Sequence, residues 1–189
     1  MAEPELPIGL ASLQRDAAAG RKLPPVEKWN PQHCGDIDIR IARDGTWFHN
    51  GTPIGRRELV RLFSTILRKD ADGYHLVTPV EKMRIVVDDA PFLAVLLRVE
   101  GEGREQRLVF TTNVGDETVA GPDNPIRVET DAKTEEPAPY VHVRRGLEAK
   151  IARAVFYQLA DMAVPGEGGG EGPLGVWSDG VFFPLGRSE

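Results

Sequence analysis

Gly35-Asp36-Ile37-Asp38-Ile39-Arg40-Ile41 decides how the chain is read, because it alternates strictly. Three isoleucines fall on one side of a strand, and Asp36, Asp38 and Arg40 fall on the other. Asp44-Gly45 and Asn50-Gly51 supply the left-handed positions that tight hairpin turns require. Thr46-Trp47-Phe48-His49 lies between them as a second strand. Leu59, Leu62, Phe63, Ile66 and Leu67 recur at helical spacing, which predicts an amphipathic helix over Arg56–Lys69. The outer side of that helix carries Arg57, Arg61 and Arg68, with Arg56 and Lys69 at its ends, and reads either as a solvated face or as an anion-facing patch.

Outward from this core, Ala11–Ala19 predicts a short helix with Ser12 as N-cap and Gly20 as C-cap. Leu23–Asn30 contains Pro24-Pro25 and reads as extended, anchored by Trp29. Tyr74–Val77 is a strand, and Thr78-Pro79-Val80 marks a domain boundary, since proline restricts its predecessor. Strands are expected at Met83–Val87, Phe92–Val99, Gln106–Thr111, Glu117–Ala120, Ile126–Glu129 and Tyr140–Val143, separated by Asp- and Gly-rich turns. Asp131–Pro139 reads as an acidic, proline-containing surface loop. Leu147, Ile151, Ala154, Val155, Leu159 and Met162 predict a second helix over Gly146–Met162. Pro165–Pro173 is a glycine/glutamate tract read as a mobile loop, and Val176–Phe183 closes the chain as a hairpin. Asp44-Gly45-Thr46-Trp47-Phe48 is echoed by Asp179-Gly180-Val181-Phe182-Phe183, and Pro53-Ile54-Gly55 by Pro184-Leu185-Gly186, which suggests a repeated unit.

The 189 residues suffice for one large domain or two small ones, and a 41% hydrophobic, 28% charged composition is that of a globular protein. No apolar run is long enough to span a bilayer, and Met1–Leu10 lacks the features of a secretory signal. The single cysteine, Cys34, rules out an internal disulfide and fits a reducing compartment, so a bacterial cytoplasmic protein is expected. Residues 1–78 hold 11 Lys/Arg against 10 Asp/Glu and residues 79–189 hold 12 against 19, for a net charge of −6. Such an acidic chain argues against general nucleic-acid binding, which needs clustered positive charge.

No G-x-S-x-G, Walker A, G-x-G-x-x-G, C-x-x-C or H-x-x-x-H pattern is present. No cofactor or bound metal is expected from the motifs. The most enzyme-like feature is the Asp36/Asp38 pair with His49 on the next strand, since paired carboxylates can share a proton or hold a divalent cation. The same pair is what a half-exposed strand ordinarily shows, with Arg40 completing ion pairs. Strand phase decides whether Trp47 and His49 join that face or the core, since one residue flips every side chain.

Trp29-Asn30-Pro31, Cys34-Gly35-Asp36-Ile37-Asp38, Asp44-Gly45-Thr46-Trp47-Phe48 and Gly51-Thr52-Pro53-Ile54-Gly55-Arg56 resemble a bacterial family, domain of unknown function 1285. So do Leu76-Val77-Thr78-Pro79-Val80-Glu81-Lys82, Thr112-Asn113-Val114-Gly115-Asp116, Gly121-Pro122-Asp123, Tyr140-Val141-His142-Val143-Arg144 and Gly175-Val176-Trp177-Ser178. The resemblance runs from about Leu23 to the C-terminus. It implies two parts with a duplicated core, a C-terminal part like pleckstrin-homology domains, and a role in signalling through an unidentified ligand or partner.

The expected fold is therefore α+β: two packed parts with a duplicated hairpin/helix core, the second an antiparallel barrel capped by a helix. The expected divisions are an N-terminal arm (1–34), a meander with its helix (35–78), and the barrel with capping helix and closing hairpin (79–189). The preferred function is non-catalytic binding of a small molecule or protein partner at an inter-domain surface, with nucleotide-derived ligands among the candidates. The residues expected to carry it are Asp36, Asp38, Arg40, Trp47, His49 and Arg56, with Glu81, Lys82, Asn113, Asp116 and Arg144 taken from the family motifs. The alternatives are a metal-assisted enzyme using Asp36/Asp38 and nucleic-acid binding through Arg57, Arg61 and Arg68. The oligomeric state is not readable from the sequence.

Overall fold

In the computed structural model, which describes residues 9–10, 23–167 and 172–187, the isoleucine alternation does form the middle of a sheet. The helix expected over Ala11–Ala19 lies outside the described residues, as do residues 168–171 of the glycine/glutamate tract. The chain divides into two units, Met1–Asp88 and Asp89–Glu189. Among the described residues the fold is mostly β with two α-helices.

The first unit runs β1 (His33–Ile41), β2 (Trp47–His49), β3 (Thr52–Pro53), α1 (Arg57–Thr65), β4 (Leu67–Asp70), β5 (Gly73–Val77) and β6 (Glu81–Val87). Their order in the sheet is β3-β2-β1-β6-β5-β4, with β1 and β6 parallel in the middle and every other pair antiparallel. The β1–β2 turn puts only Gly45 at positive φ (84°), with the Asp44 carboxylate accepting the Thr46 N–H at 2.9 Å. The β2–β3 turn puts both Asn50 (49°) and Gly51 (77°) there, the twist that a two-residue hairpin needs. Ile39, Ile41, Trp47, Leu67, Leu76 and Ile85 are buried, as are Phe63 of α1 and Ile66 just after it. Trp47 and Phe63 lie with ring centroids 6.3 Å apart.

Two expectations for this unit are corrected. The helix stops at Thr65 rather than running to Lys69. The Ser64 and Thr65 hydroxyls donate back to the carbonyls of Arg61 and Leu62, both at 2.6 Å, which competes with the helical ladder. Leu67–Asp70 then pairs with β5, so Arg68 belongs to a strand and not to the helix surface. The boundary expected at Thr78-Pro79-Val80 is a tight turn inside the first sheet. Thr78 N–H donates to the Glu81 carbonyl at 2.9 Å, and Thr78 Oγ1 accepts from the N–H groups of Val80 and Glu81. Pro79 ends a strand there, and β6 returns to the same sheet.

The second unit runs β7 (Phe92–Glu100), β8 (Arg107–Thr112), β9 (Glu117–Val119), β10 (Ile126–Thr130), β11 (Pro137–Arg144), β12 (Leu147–Ile151), α2 (Arg153–Asp161), β13 (Val164–Pro165), β14 (Pro173–Ser178) and β15 (Val181–Arg187). The six strands β7–β12 lie in the order β10-β11-β12-β7-β8-β9. Renumbered from their own start, this is the order of the first sheet, with the first and last strands again parallel in the middle. The two halves are therefore similar, and the repeat relates β1–β6 to β7–β12. The Asp-Gly echo misplaced it: Asp179 and Gly180 are both left-handed (49° and 75°), unlike Asp44-Gly45. They turn the hairpin of a separate three-stranded sheet, β13-β14-β15. The parallel pair β7/β12 also corrects the expectation of an all-antiparallel barrel.

Gly146–Met162 is not one helix. Arg145 (50°) and Gly146 (76°) form a two-residue turn, after which Leu147, Ala149 and Ile151 alternate into the core as β12. Leu147 and Ile151 fit both periods, since four residues is two strand repeats and about one helical turn. Ala152 is extended and the helix starts at Arg153, with Val155 and Leu159 buried.

Ser178 fastens β14 within the second unit. Its hydroxyl is fully buried, accepts the Leu108 N–H at 2.9 Å and donates to the Ala120 carbonyl at 2.6 Å. Ser178→Ala removes both bonds at once, leaves the Leu108 N–H and the Ala120 carbonyl without the hydroxyl, and is expected to cost about 2 kcal/mol in reversible denaturation. A change below about 0.5 kcal/mol would show that neither bond matters.

Candidate functional site

Period two along β1, β4, β5 and β6 sets one face of the first sheet apart from the core. Cα register places Asp36 beside Arg84, Arg84 beside His75 and His75 beside Arg68, a row across four strands. Arg40 stands beside Val86 and opposite Phe48, so it shares this face, and its guanidinium lies 5.1 Å from the Phe48 ring centroid. Asp38 joins it by alternation along β1. Lys82 and Asp88 follow from alternation along β6.

Nearly every charge on this face has a partner. Arg40 pairs with Asp88 at 2.8 Å and Arg84 with Asp72 at 2.9 Å. Arg68 grips Asp70 with two N–H groups at 2.8 and 3.0 Å, and Lys82 reaches the same carboxylate at 3.1 Å. The Asp70 carboxyl is held below its usual range by the hydrogen-bonded Arg68, opposed by desolvation and helped by Lys82. Asp36 and Asp38 are exposed, and neither carboxylate has an ion pair or side-chain hydrogen bond among the described residues.

His75 sits in the middle with 3% of its side chain exposed. Its Nδ1 is buried without a hydrogen-bond partner, 3.7 Å from Asp70 Oδ2, and its Nε2 lies 3.6 Å from Asp72 Oδ2. Burial lowers its pKa, against the opposing pull of the neighbouring Asp72 charge.

Of the residues expected from sequence, Asp36, Asp38, Arg40 and Lys82 are brought together here. Trp47 and His49 are not: they stand opposite Ile41 and Ile39 and are buried on the core side. An Asp36/Asp38/His49 triad is therefore not assembled. Arg56 is the exposed N-cap of α1, its carbonyl accepting from Leu59 and Val60. Glu81 is buried and accepts the Gly9 N–H at 2.8 Å, which ties the start of the chain to the β5–β6 turn. Asn113, Asp116 and Arg144 lie in the second unit. Asn113 exchanges two hydrogen bonds with the Leu93 backbone, and Arg144 pairs with Asp116 and covers the Phe92 ring at 5.0 Å. Arg57, Arg61 and Arg68 do not form one helix face, because Arg68 is in β4 and only 15% exposed.

The residues that sequence reading missed are Asp70, Asp72, His75 and Arg84, and Arg68 is named there but on the wrong element. The signal was available: reading Leu67–Asp70 as a strand puts Arg68 and Asp70 on the side of His75. The helical stripe through Leu59, Phe63 and Leu67 hid it.

Among the described residues no helix is long and apolar enough to cross a membrane. No curated protein matches the chain. A family model described as "Domain of unknown function (DUF1285), N-terminal domain" matches residues 24–90. Another, "Protein of unknown function (DUF1285), C-terminal domain", matches residues 91–185. The crystal structure of a DUF1285 family protein from Silicibacter pomeroyi DSS-3 is 56% identical, with a TM-score of 0.84 over 93% of this chain and 94% of that one. A second, from Shewanella baltica OS155, is 29% identical, with a TM-score of 0.52 over 65% of this chain and 90% of that one. The motifs, both family models and this structural likeness agree: the chain belongs to the DUF1285 family.

Proposed function

We propose that the protein is a non-catalytic binding protein of bacterial signal transduction, and that its recognition surface is the exposed face of the first sheet. The observation that carries this reading is the pair of uncompensated carboxylates, Asp36 and Asp38, among otherwise paired charges. Two exposed carboxylates on a rigid central strand suit an ammonium or guanidinium group from a ligand or partner. Val86, 56% exposed on the same face, and the half-buried Phe48 add apolar contact beside them. A nucleotide's phosphates would meet like charge here, so a cationic ligand fits better than a nucleotide-derived one. The signalling role is taken from the family resemblance. Six strands followed by a helix favour the pleckstrin-homology likeness and the parallel β7/β12 pair speaks against it, and the likeness does not by itself transfer a ligand.

A thermal-shift screen of the full chain against polyamines and lysine- or arginine-containing peptides tests the proposal. At least one cationic probe should raise the melting temperature. The Asp36→Asn/Asp38→Asn double variant should abolish that shift while changing stability by no more than about 0.5 kcal/mol. Equal binding by the double variant, or no response to any cation, would overturn it.

A further inference from the structure

The two halves act as controls for each other. In the second, Arg127, Tyr140 and Lys150 form a row across β10, β11 and β12 that corresponds to Arg68, His75 and Arg84 across β4, β5 and β6. Every polar atom that the second row aims inward is closed off. Arg127 binds Glu148 with two N–H groups, both at 2.7 Å, and lies 4.3 Å from the Tyr140 ring centroid. The Tyr140 hydroxyl donates to Asp89 at 2.7 Å, and Lys150 donates to the same carboxylate at 2.9 Å. Burial and the adjacent Asp89 push the Tyr140 hydroxyl well above its ordinary pKa.

In the first half His75 holds the middle of the row, and the closure fails. Its ring nitrogens face Asp70 and Asp72 at 3.7 and 3.6 Å, too far for hydrogen bonds, and Nδ1 has no partner although it is buried. An orphaned buried polar nitrogen is costly unless something else fills the gap. One donor atom from each of Asp70, Asp72 and His75 lies within 4.8 Å of the others. Donors held around a single ion at about 2.0–2.2 Å each stand at most about 4.4 Å apart, so the three close in by a few tenths of an ångström to share one.

We propose that Asp70, Asp72 and His75 form a binding site for a divalent transition-metal ion of the zinc class. One buried imidazole with two carboxylates selects such an ion over magnesium or calcium, which favour all-oxygen sites. Arg68 remains on Asp70 as the outer-shell group that orients the ligating carboxylate. Lys82 and Arg84 release their carboxylates, and both are placed to do so: Arg84 is half exposed, and Lys82 makes a single contact to Asp70. The cationic surroundings do not forbid the ion. Of the three cations on these carboxylates Lys82 and Arg84 withdraw, which leaves the charges of Asp70 and Asp72 to offset that of the ion.

The test uses the full chain, treated with chelator and then titrated with zinc chloride alone, followed by calorimetry and thermal unfolding. One ion should bind per chain, with a melting temperature rise of about 5 °C at a hundredfold excess over Kd and no rise with magnesium chloride. His75→Gln should weaken binding by at least about tenfold. Asp72→Asn should do the same, and because Asp72 is an exposed turn residue that variant decides the matter if His75→Gln does not fold. Cys34→Ser and Asp36→Asn/Asp38→Asn should leave zinc binding unchanged, which separates this site from the surface proposed above. No zinc binding in the native chain, full binding in Asp72→Asn, or loss of binding in Cys34→Ser would overturn the proposal.

Discussion

Arg68→Ala is expected to destabilise the protein by about 3 kcal/mol, the largest loss from any single charged side chain of the first unit. Besides its two bonds to Asp70, Arg68 Nη1 donates to the carbonyls of Val26 and Trp29, both at 2.8 Å. Those carbonyls belong to a short 3-10 turn, Val26–Lys28, and to Trp29 that caps it, and the Val26 side chain is fully buried. The side chain is thus a clamp holding the segment before β1 against β4. Truncation removes the guanidinium from both carbonyls, leaving Val26 with the Trp29 N–H at 3.3 Å, and leaves Asp70 with Lys82. Arg68→Lys should recover little, because one ammonium cannot reach four acceptors in a fixed fork. Denaturant unfolding of the three proteins checks this, and a loss under about 1 kcal/mol in the alanine variant would show that the clamp is ornamental.

Gly175→Ala is expected to be comparably damaging, at about 3 kcal/mol or more. The register of β14 against β15 slips at Leu174/Gly175. A Cβ on Gly175 would lie 2.3 Å from the Phe183 carbonyl oxygen and 2.6 Å from Phe182 Cζ. The first of these is backbone and cannot rotate away. The second belongs to a ring held 5.3 Å from Trp177, which is itself covered by Arg104 at 4.7 Å. Gly180→Ala is the useful contrast: its Cβ meets nothing within 4 Å, so its cost comes only from the left-handed backbone. Near-equal melting temperatures for the native chain and Gly175→Ala would refute the steric account.

The parts of the fold legible in the sequence were those with one available period. Ile37, Ile39 and Ile41 could only be a strand, and the Asn50-Gly51 and Asp179-Gly180 turns announced their hairpins. The errors fall where two periods coincide. Leu59, Phe63 and Leu67 continue a helix on paper, yet Ser64 and Thr65 turn their hydroxyls onto the helix and Leu67 begins a strand. Leu147 and Ile151 likewise belong to a strand and line up with Val155 and Leu159 of the helix that follows. Pro79 reads as a border because proline breaks structure, but a turn between paired strands needs the same break. The candidate site suffered from the first of these errors. With Arg68 assigned to a helix, nothing drew Asp70, Asp72 and His75 together, whereas Asp36 and Asp38 were visible as neighbours on one strand.

The shared strand order has a kinetic consequence. In each half the two middle strands are the first and the last to be synthesised, so Asp36 meets Arg84 and Ala94 meets Ile151. Hairpins on either flank need only short closures, while each central ladder must wait for a loop of roughly fifty residues to shut. Pulsed hydrogen exchange during refolding should therefore protect the flanking hairpins first and the middle of each sheet last, so that the ladder joining the two sides of each sheet is also the latest to form.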